Sequence, residues 1–194
     1  MSVTEMNLAI IGDSGCGKST WLNRLGTGEF TKEHRSNKPG LECELRFATS
    51  RGDVIFRCFT YLNASIISDD TDGVIILYDA KSPKGSGRAI FHRDTVRRQH
   101  PEIPIVICGN KVDLKGENWT QYLPEIPQYL ISAKSNFEFE KPLLDILRQF
   151  KEDNSIEFVP SEAVAPPEVI PSPALLARYR KELEDLEKLR QEVY

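Results

Sequence analysis

The chain lacks any apolar run approaching the ~20 residues that a bilayer-spanning helix needs, which removes membrane transport from the candidate functions. It also lacks a basic excess: 25 Lys and Arg stand against 29 Asp and Glu, a formal net charge of −4. Duplex nucleic acid is gripped through a positive footprint, so no direct nucleic-acid partner is expected. Cysteine is sparse, with Cys16, Cys43, Cys58 and Cys108 scattered, no C-x-x-C pair and no accompanying histidine set. That pattern implies neither a zinc site nor a disulfide framework, and reads as reduced intracellular thiols. The three histidines, His34, His92 and His100, sit in polar contexts that predict surface positions. Residues 1–7 show no basic-then-apolar leader, and Gln-Glu-Val-Tyr194 holds no lipidation cysteine. The expectation is a soluble, intracellular, unanchored monomer.

What is present begins with Gly12-Asp-Ser-Gly-Cys-Gly-Lys-Ser19, which follows the apolar run Met6–Ile11 and opens a predicted helix, Ser19 to Leu25. A G-x-x-x-x-G-K-S loop between strand and helix is the context in which a phosphate loop forms. Gly12, Gly15 and Gly17 allow the backbone of Asp13 to Thr20 to bend until successive N–H groups point at phosphate oxygens, aided by the helix N-terminus. Within that stretch Ser14 and Cys16 are loop positions, Lys18 supplies a charge for the outer phosphates, and the Ser19 hydroxyl can ligate Mg²⁺. Cys16 reads as a small residue the turn tolerates.

Two later segments point to the base. The β-branched run Ile103–Gly109 ends in Asn110-Lys111-Val112-Asp113, and Tyr129–Ile131 ends in Ser132-Ala133-Lys134. A carboxylate such as that of Asp113 can accept from both the N1–H and the 2-amino group of guanine. Adenine lacks that donor pair and would leave the carboxylate unpaired. N-K-x-D followed by S-A-K is the guanine-reading pattern of small GTPases, and it argues against a P-loop kinase or ATPase.

The remaining elements alternate as in a doubly wound α/β sheet. Leu41–Thr49 and Val54–Phe59 predict a hairpin across Ser50-Arg-Gly-Asp53, and Gly73–Tyr78 a buried strand. A loop with Pro83, Gly85 and Gly87 leads to a helix ending near Gln99 that carries Arg88, Arg93, Arg97 and Arg98, either a solvated face or a docking face. Phe139–Phe150 predicts the closing helix of a domain spanning 1–152. A Pro-rich arm (153–173) and an amphipathic helix (174–194) follow, the helix striped by Leu175, Tyr179, Leu183, Leu186 and Val193.

The chain resembles the Ran family of small GTPases over nearly its whole length. Gly28-Glu-Phe30, Phe91-His-Arg-Asp94, Ile103–Asp113, Ile131–Phe137 and Phe139-Glu-Lys-Pro142 carry the likeness. So does the tail, through Ile156–Pro160, Ala165–Val169 and Pro173–Ala177. The resemblance implies a Ras-like P-loop GTPase domain with a mixed, mostly parallel six-stranded sheet flanked by helices. It further implies GTP or GDP with Mg²⁺ as cofactors, importin-type transport receptors and Ran regulators as partners, and a nuclear and cytoplasmic location in nucleocytoplasmic transport.

The likeness breaks at the switches. Lys38 stands where the family has the threonine that reaches Mg²⁺ and the γ-phosphate, and Thr31 comes too early in the loop to replace it. Thr60-Tyr-Leu-Asn63-Ala64 stands where the family has D-x-x-G-Q, and the stretch to Gly73 is shorter. Asp69, Asp70 and Asp72 precede a parallel strand, so they belong at the sheet edge opposite the nucleotide. One preorganised catalytic donor is commonly worth roughly 3–4 kcal/mol, so losing several together implies little intrinsic hydrolysis. Two functional readings follow: a divergent Ran-type switch, and a pseudo-GTPase module that mimics Ran or competes for its partners.

Overall fold

β-Branched and aromatic runs separated by helices form a six-stranded sheet in the order β2-β3-β1-β4-β5-β6. The computed structural model describes residues 3–27, 42–113 and 128–159. The strands are β1 (Thr4–Ile11), β2 (Glu42–Thr49), β3 (Gly52–Tyr61), β4 (Gly73–Asp79), β5 (Ile105–Asn110) and β6 (Gln128–Leu130). The helices are α1 (Lys18–Thr27), α2 (Gly85–Gln99) and α3 (Lys141–Lys151), with a short 3₁₀ turn at Ala64–Ile66. All neighbouring strands run parallel except the β2–β3 hairpin. The fold is therefore α/β with a mostly parallel sheet. The expected switch threonine position (Lys38), Gly28-Glu-Phe30, Leu41, and the arm and helix beyond Val159 lie outside the described residues.

Period-two alternation decides which face each side chain covers. One face of β1 and β3 (Met6, Leu8, Ile10, Val54, Phe56, Cys58) packs with Trp21 and Leu22 of α1 and with Leu143, Ile146 and Leu147 of α3. The other face (Ala9, Ile11, Val74, Ile76, Ile105, Ile107) packs with Ala89 and Val96 of α2. Helices thus cover both faces, which is why β1, β4 and β5 are near-continuous apolar runs. β1 lies between β3 and β4, and the carboxyl ends of the neighbouring strands β1 and β4 lead to helices on opposite faces, α1 on one and α2 on the other. A ligand crevice forms at such a point.

Several boundaries differ from the sequence expectation for physical reasons. α2 begins at Gly85 rather than after a glycine-bearing loop, because a Cβ there would stand 2.5 Å from the Asp79 carbonyl oxygen. Only glycine lets the helix start against the end of β4. Residues 153–159, assigned by composition to a linker, return to the sheet. Ser50 N–H donates to Glu157 O, Val159 N–H donates to Ala48 O, and Phe158 stacks on Phe47 at 4.6 Å. Arg51 in the hairpin turn reaches Asp153 at 3.2 Å and Ser155 at 3.0 Å, which completes the staple.

The aspartates before β4 fall where expected. Asp72 accepts from Asn7 N–H at 2.8 Å and donates its own N–H to Asn7 O, at the end of the sheet away from the Gly12–Ser19 loop. A contact at the same end tests the α3 face of the core: Ile146 is fully buried and lies against Gly73 and the Leu8 side of the sheet. Ile146→Ala should destabilise the domain by about 2–5 kcal/mol in urea unfolding, because the sheet cannot collapse into the space.

Candidate functional site

The site is built from three strand ends. The loop after β1 turns through Gly12, Gly15 and Gly17, whose φ angles are 155°, 78° and 100°. A Cβ on Gly17 would lie 2.3 Å from Asn110 Nδ2, and one on Gly12 would lie 2.1 Å from the Leu77 carbonyl oxygen. The first and last glycines are therefore required by close approach to β5 and β4 as well as by backbone conformation. The loop delivers its chain into α1, so Lys18, Ser19 and Thr20 occupy the helix's first turn. Ser14 and Gly15 are exposed, Asp13, Gly17, Ser19 and Thr20 half-buried, and Cys16 and Lys18 buried.

Lys18 is 1% exposed, and its ammonium donates to Gly12 O at 2.7 Å and Asp13 O at 3.0 Å. Burial lowers its pKa below the ordinary 10.5, while the nearby Cys16 and Asp13 oppose the shift. The cation thus folds over the mouth of its own loop. The Cys16 thiol lies 4.0 Å from that ammonium. Burial nonetheless raises its pKa above the ordinary range, with Lys18 opposing, so it is a packed thiol rather than a reactive thiolate.

Asn110 joins the loop to the other two strand ends. Its Nδ2 donates to Cys16 O at 3.0 Å, and its Oδ1 accepts from Lys111 N–H at 2.8 Å and Ala133 N–H at 3.3 Å. Asp113 is aimed by its neighbours: Ser132 Oγ donates to Oδ1 at 2.7 Å, and Lys134 Nζ lies 3.5 Å from Oδ2. Ser132 Oγ also accepts from Ser135 N–H at 3.1 Å. Lys111, in a left-handed conformation with φ of 69°, pairs with Asp79 at 2.6 Å and so stitches β5 to β4. α1 is fixed against the same region, since Trp21 Nε1 donates to Phe139 O at 2.8 Å and Arg24 to Asn136 at 2.6 Å.

The end of β3 differs in character. Thr60 is 1% exposed and its hydroxyl has no hydrogen-bond partner. Asn63 spends its carbonyl on the N-terminus of the 3₁₀ turn, accepting from Ser65 N–H at 3.0 Å and Ser65 Oγ at 2.7 Å. Ala64 is fully buried. None of these groups offers a carboxylate, and among the described residues no cluster of three His, Cys, Asp or Glu could hold a metal. Hydroxyls from Ser19 and Thr60 alone do not make a magnesium site, because that ion is held through carboxylates and phosphates.

Two residues that composition placed elsewhere belong to the loop. Arg88 pairs with Asp13 at 2.5 Å, and His92, one turn along α2, places Nε2 3.7 Å from the other carboxylate oxygen. His92 is 4% exposed rather than on the surface, and neither ring nitrogen has a hydrogen-bond partner. Burial lowers its pKa; Asp13 opposes the shift, while Arg88 and Lys18 reinforce it. The four-residue spacing of Arg88 and His92 was the available signal. The other arginines of α2 are used within the fold: Arg93 pairs with Asp94, Arg97 donates to Pro101 O and Ile103 O, and Arg98 to Asp94 O.

No protein-family model matches the chain. Two measurements check the geometry directly. Asn110→Ala strands the Cys16 carbonyl and the Ala133 N–H, each worth about 1–3 kcal/mol when buried, so urea unfolding should show a loss in the range of one to two such groups. His92 titrates below its ordinary 6.5 in the folded chain, so between those values the unfolded chain binds more protons. Stability should therefore fall as pH drops below about 6.5, and His92→Gln should flatten that slope in melts across the acid range.

Proposed function

We propose that the chain is a guanine-nucleotide-binding protein with a Ras-like domain of the Ran type. The single observation that supports this best is the Asn110 side chain. It fixes the Gly-rich loop, the Asp113 segment and the Ser132–Lys134 segment in one constellation. Loop N–H groups with Lys18 and the α1 N-terminus would cradle the phosphates. Asp113, held by Ser132 and Lys134, would read the guanine edge, and the backbone at Ala133 would bound the base pocket.

In this reading Mg²⁺ accompanies the phosphates, and Ser19 is the protein group that would meet it. When bound, the ion neutralises phosphate charge. Every protein-derived part of hydrolysis is weakened: Thr60 replaces a carboxylate, Asn63 is committed to its own turn, and the buried Ala64 cannot orient a water. The domain is then a nucleotide-stabilised binding module with little intrinsic turnover. Importin-type receptors and Ran regulators in nucleus and cytoplasm are the partners the family resemblance suggests. A cycling switch would need its catalytic groups from such a partner.

The first test is to denature freshly purified protein and separate the released nucleotide by chromatography. Guanine nucleotide is expected, and protein free of any nucleotide that also fails to bind added GDP would overturn the reading. Asp113→Ala should erase most of the preference for guanine over adenine nucleotides, about a hundredfold or more when a buried polar group loses its matched partner. Single-turnover assays should show hydrolysis at least ~100-fold slower than an ordinary small GTPase, and Ala64→Gln should not restore it, because that position faces the core.

A further inference from the structure

The mouth of the Gly-rich loop carries more positive charge than its single carboxylate can answer. Lys18 donates to the carbonyls of Gly12 and Asp13, and Arg88 occupies the Asp13 carboxylate. His92 places Nε2 3.7 Å from the same carboxylate, buried, with neither ring nitrogen in a hydrogen bond. Asp13 is a liability in a phosphate-binding loop, since an uncovered carboxylate there repels the ligand. Arg88 covers it, yet its side chain is 60% exposed and anchored only by α2, so it is free to turn toward another anion.

Resting on the nucleotide reading above, we infer that α2 carries a terminal-phosphate sensor: Arg88 exchanges Asp13 for the terminal phosphate of a nucleoside triphosphate, and His92 then takes its place on Asp13. The exchange conserves charge pairing. A triphosphate adds negative charge beside Lys18 and draws the planar guanidinium, whose fork matches phosphate oxygens. Asp13, relieved of Arg88, lies next to an imidazole that needs one proton from solvent to become its partner. The groups facing His92 are Asp13 from the loop, Arg88 from its own helix and Lys18 from α1. Removing Arg88 from that set deletes a cation that disfavours protonation and leaves the anion that favours it. On this inference a diphosphate, one phosphate shorter, leaves the Arg88–Asp13 pair in place. This arrangement gives the chain a way to distinguish tri- from diphosphate without the threonine and D-x-x-G groups of the family its sequence resembles, and it makes triphosphate binding take up a proton.

Isothermal titration calorimetry of the full chain separates the possibilities. The probes are GDP and a non-hydrolysable GTP analogue at pH 6.5, in two buffers of different ionisation enthalpy. Wild type should take up more protons with the triphosphate than with the diphosphate. Arg88→Gln should lower the triphosphate-to-diphosphate affinity ratio by about tenfold or more, the worth of a charge-assisted contact, with circular dichroism showing an intact fold. His92→Gln should abolish the extra proton uptake while still binding GDP. An unchanged ratio in Arg88→Gln overturns the inference, as does undiminished uptake in His92→Gln. If wild type binds neither probe, the nucleotide reading and this inference fall together; if it binds both with the ratio indifferent to Arg88, the inference alone falls.

Discussion

The geometry of this domain depends on one amide. Asn110 ends β5 and uses both ends of its side chain at once, donating to the loop after β1 and accepting from the segment after β6. Its Nδ2 can come so close because residue 17 has no Cβ, which makes Gly17 and Asn110 a single structural unit. The amide is 2% exposed, so its partners have no water to fall back on, and the three strand ends must keep register together. Asp113 and Lys111 inherit their positions from it, since each lies within three residues of this anchor.

The same end of the sheet is finished by a short turn on one side and a helix on the other. The stretch between β3 and β4 holds a 3₁₀ turn capped by Asn63, with Ala64 in the core. α2 then follows β4 and sets Arg88 and His92 against Asp13. The charged neighbours of the Gly12–Ser19 loop come from α2 rather than from the end of β3. The result is an asymmetric site, with positive charge on the α2 side and a bare, buried hydroxyl at Thr60.

Much of this was legible in the sequence, for definable reasons. β4 and β5 are β-branched runs that only a sheet covered on both sides would bury, and the glycine spacing of residues 12–17 has few other structural uses. Asn110–Asp113 and Ser132–Lys134 stood out as contiguous segments at strand ends, and the structure joins them through Asn110 and Ser132. Arg88 and His92 did not stand out: their role is a tertiary contact with Asp13, 75 or more residues earlier, and charge content alone left α2 open between a solvated face and a docking face. The burial of His92 was hidden by its charged neighbours along the chain, which lie on other faces of the helix. Residues 153–159 misled in the same way, because a short polar stretch after a helix reads as a tether until Ile156 and Phe158 find their pockets.

That last segment has a consequence for colloidal behaviour. β2 is an edge strand, and an unprotected edge invites pairing with another chain. Residues 157–159 occupy its hairpin end, while Glu44 and Arg46 charge the stretch beyond. Phe158 also shields the ring of Phe47. A chain trimmed at the end of α3 would keep every site residue and lose this cover, leaving an open edge beside an uncovered aromatic. Protection against self-association therefore resides in a few residues that contribute nothing to the chemistry of the loop.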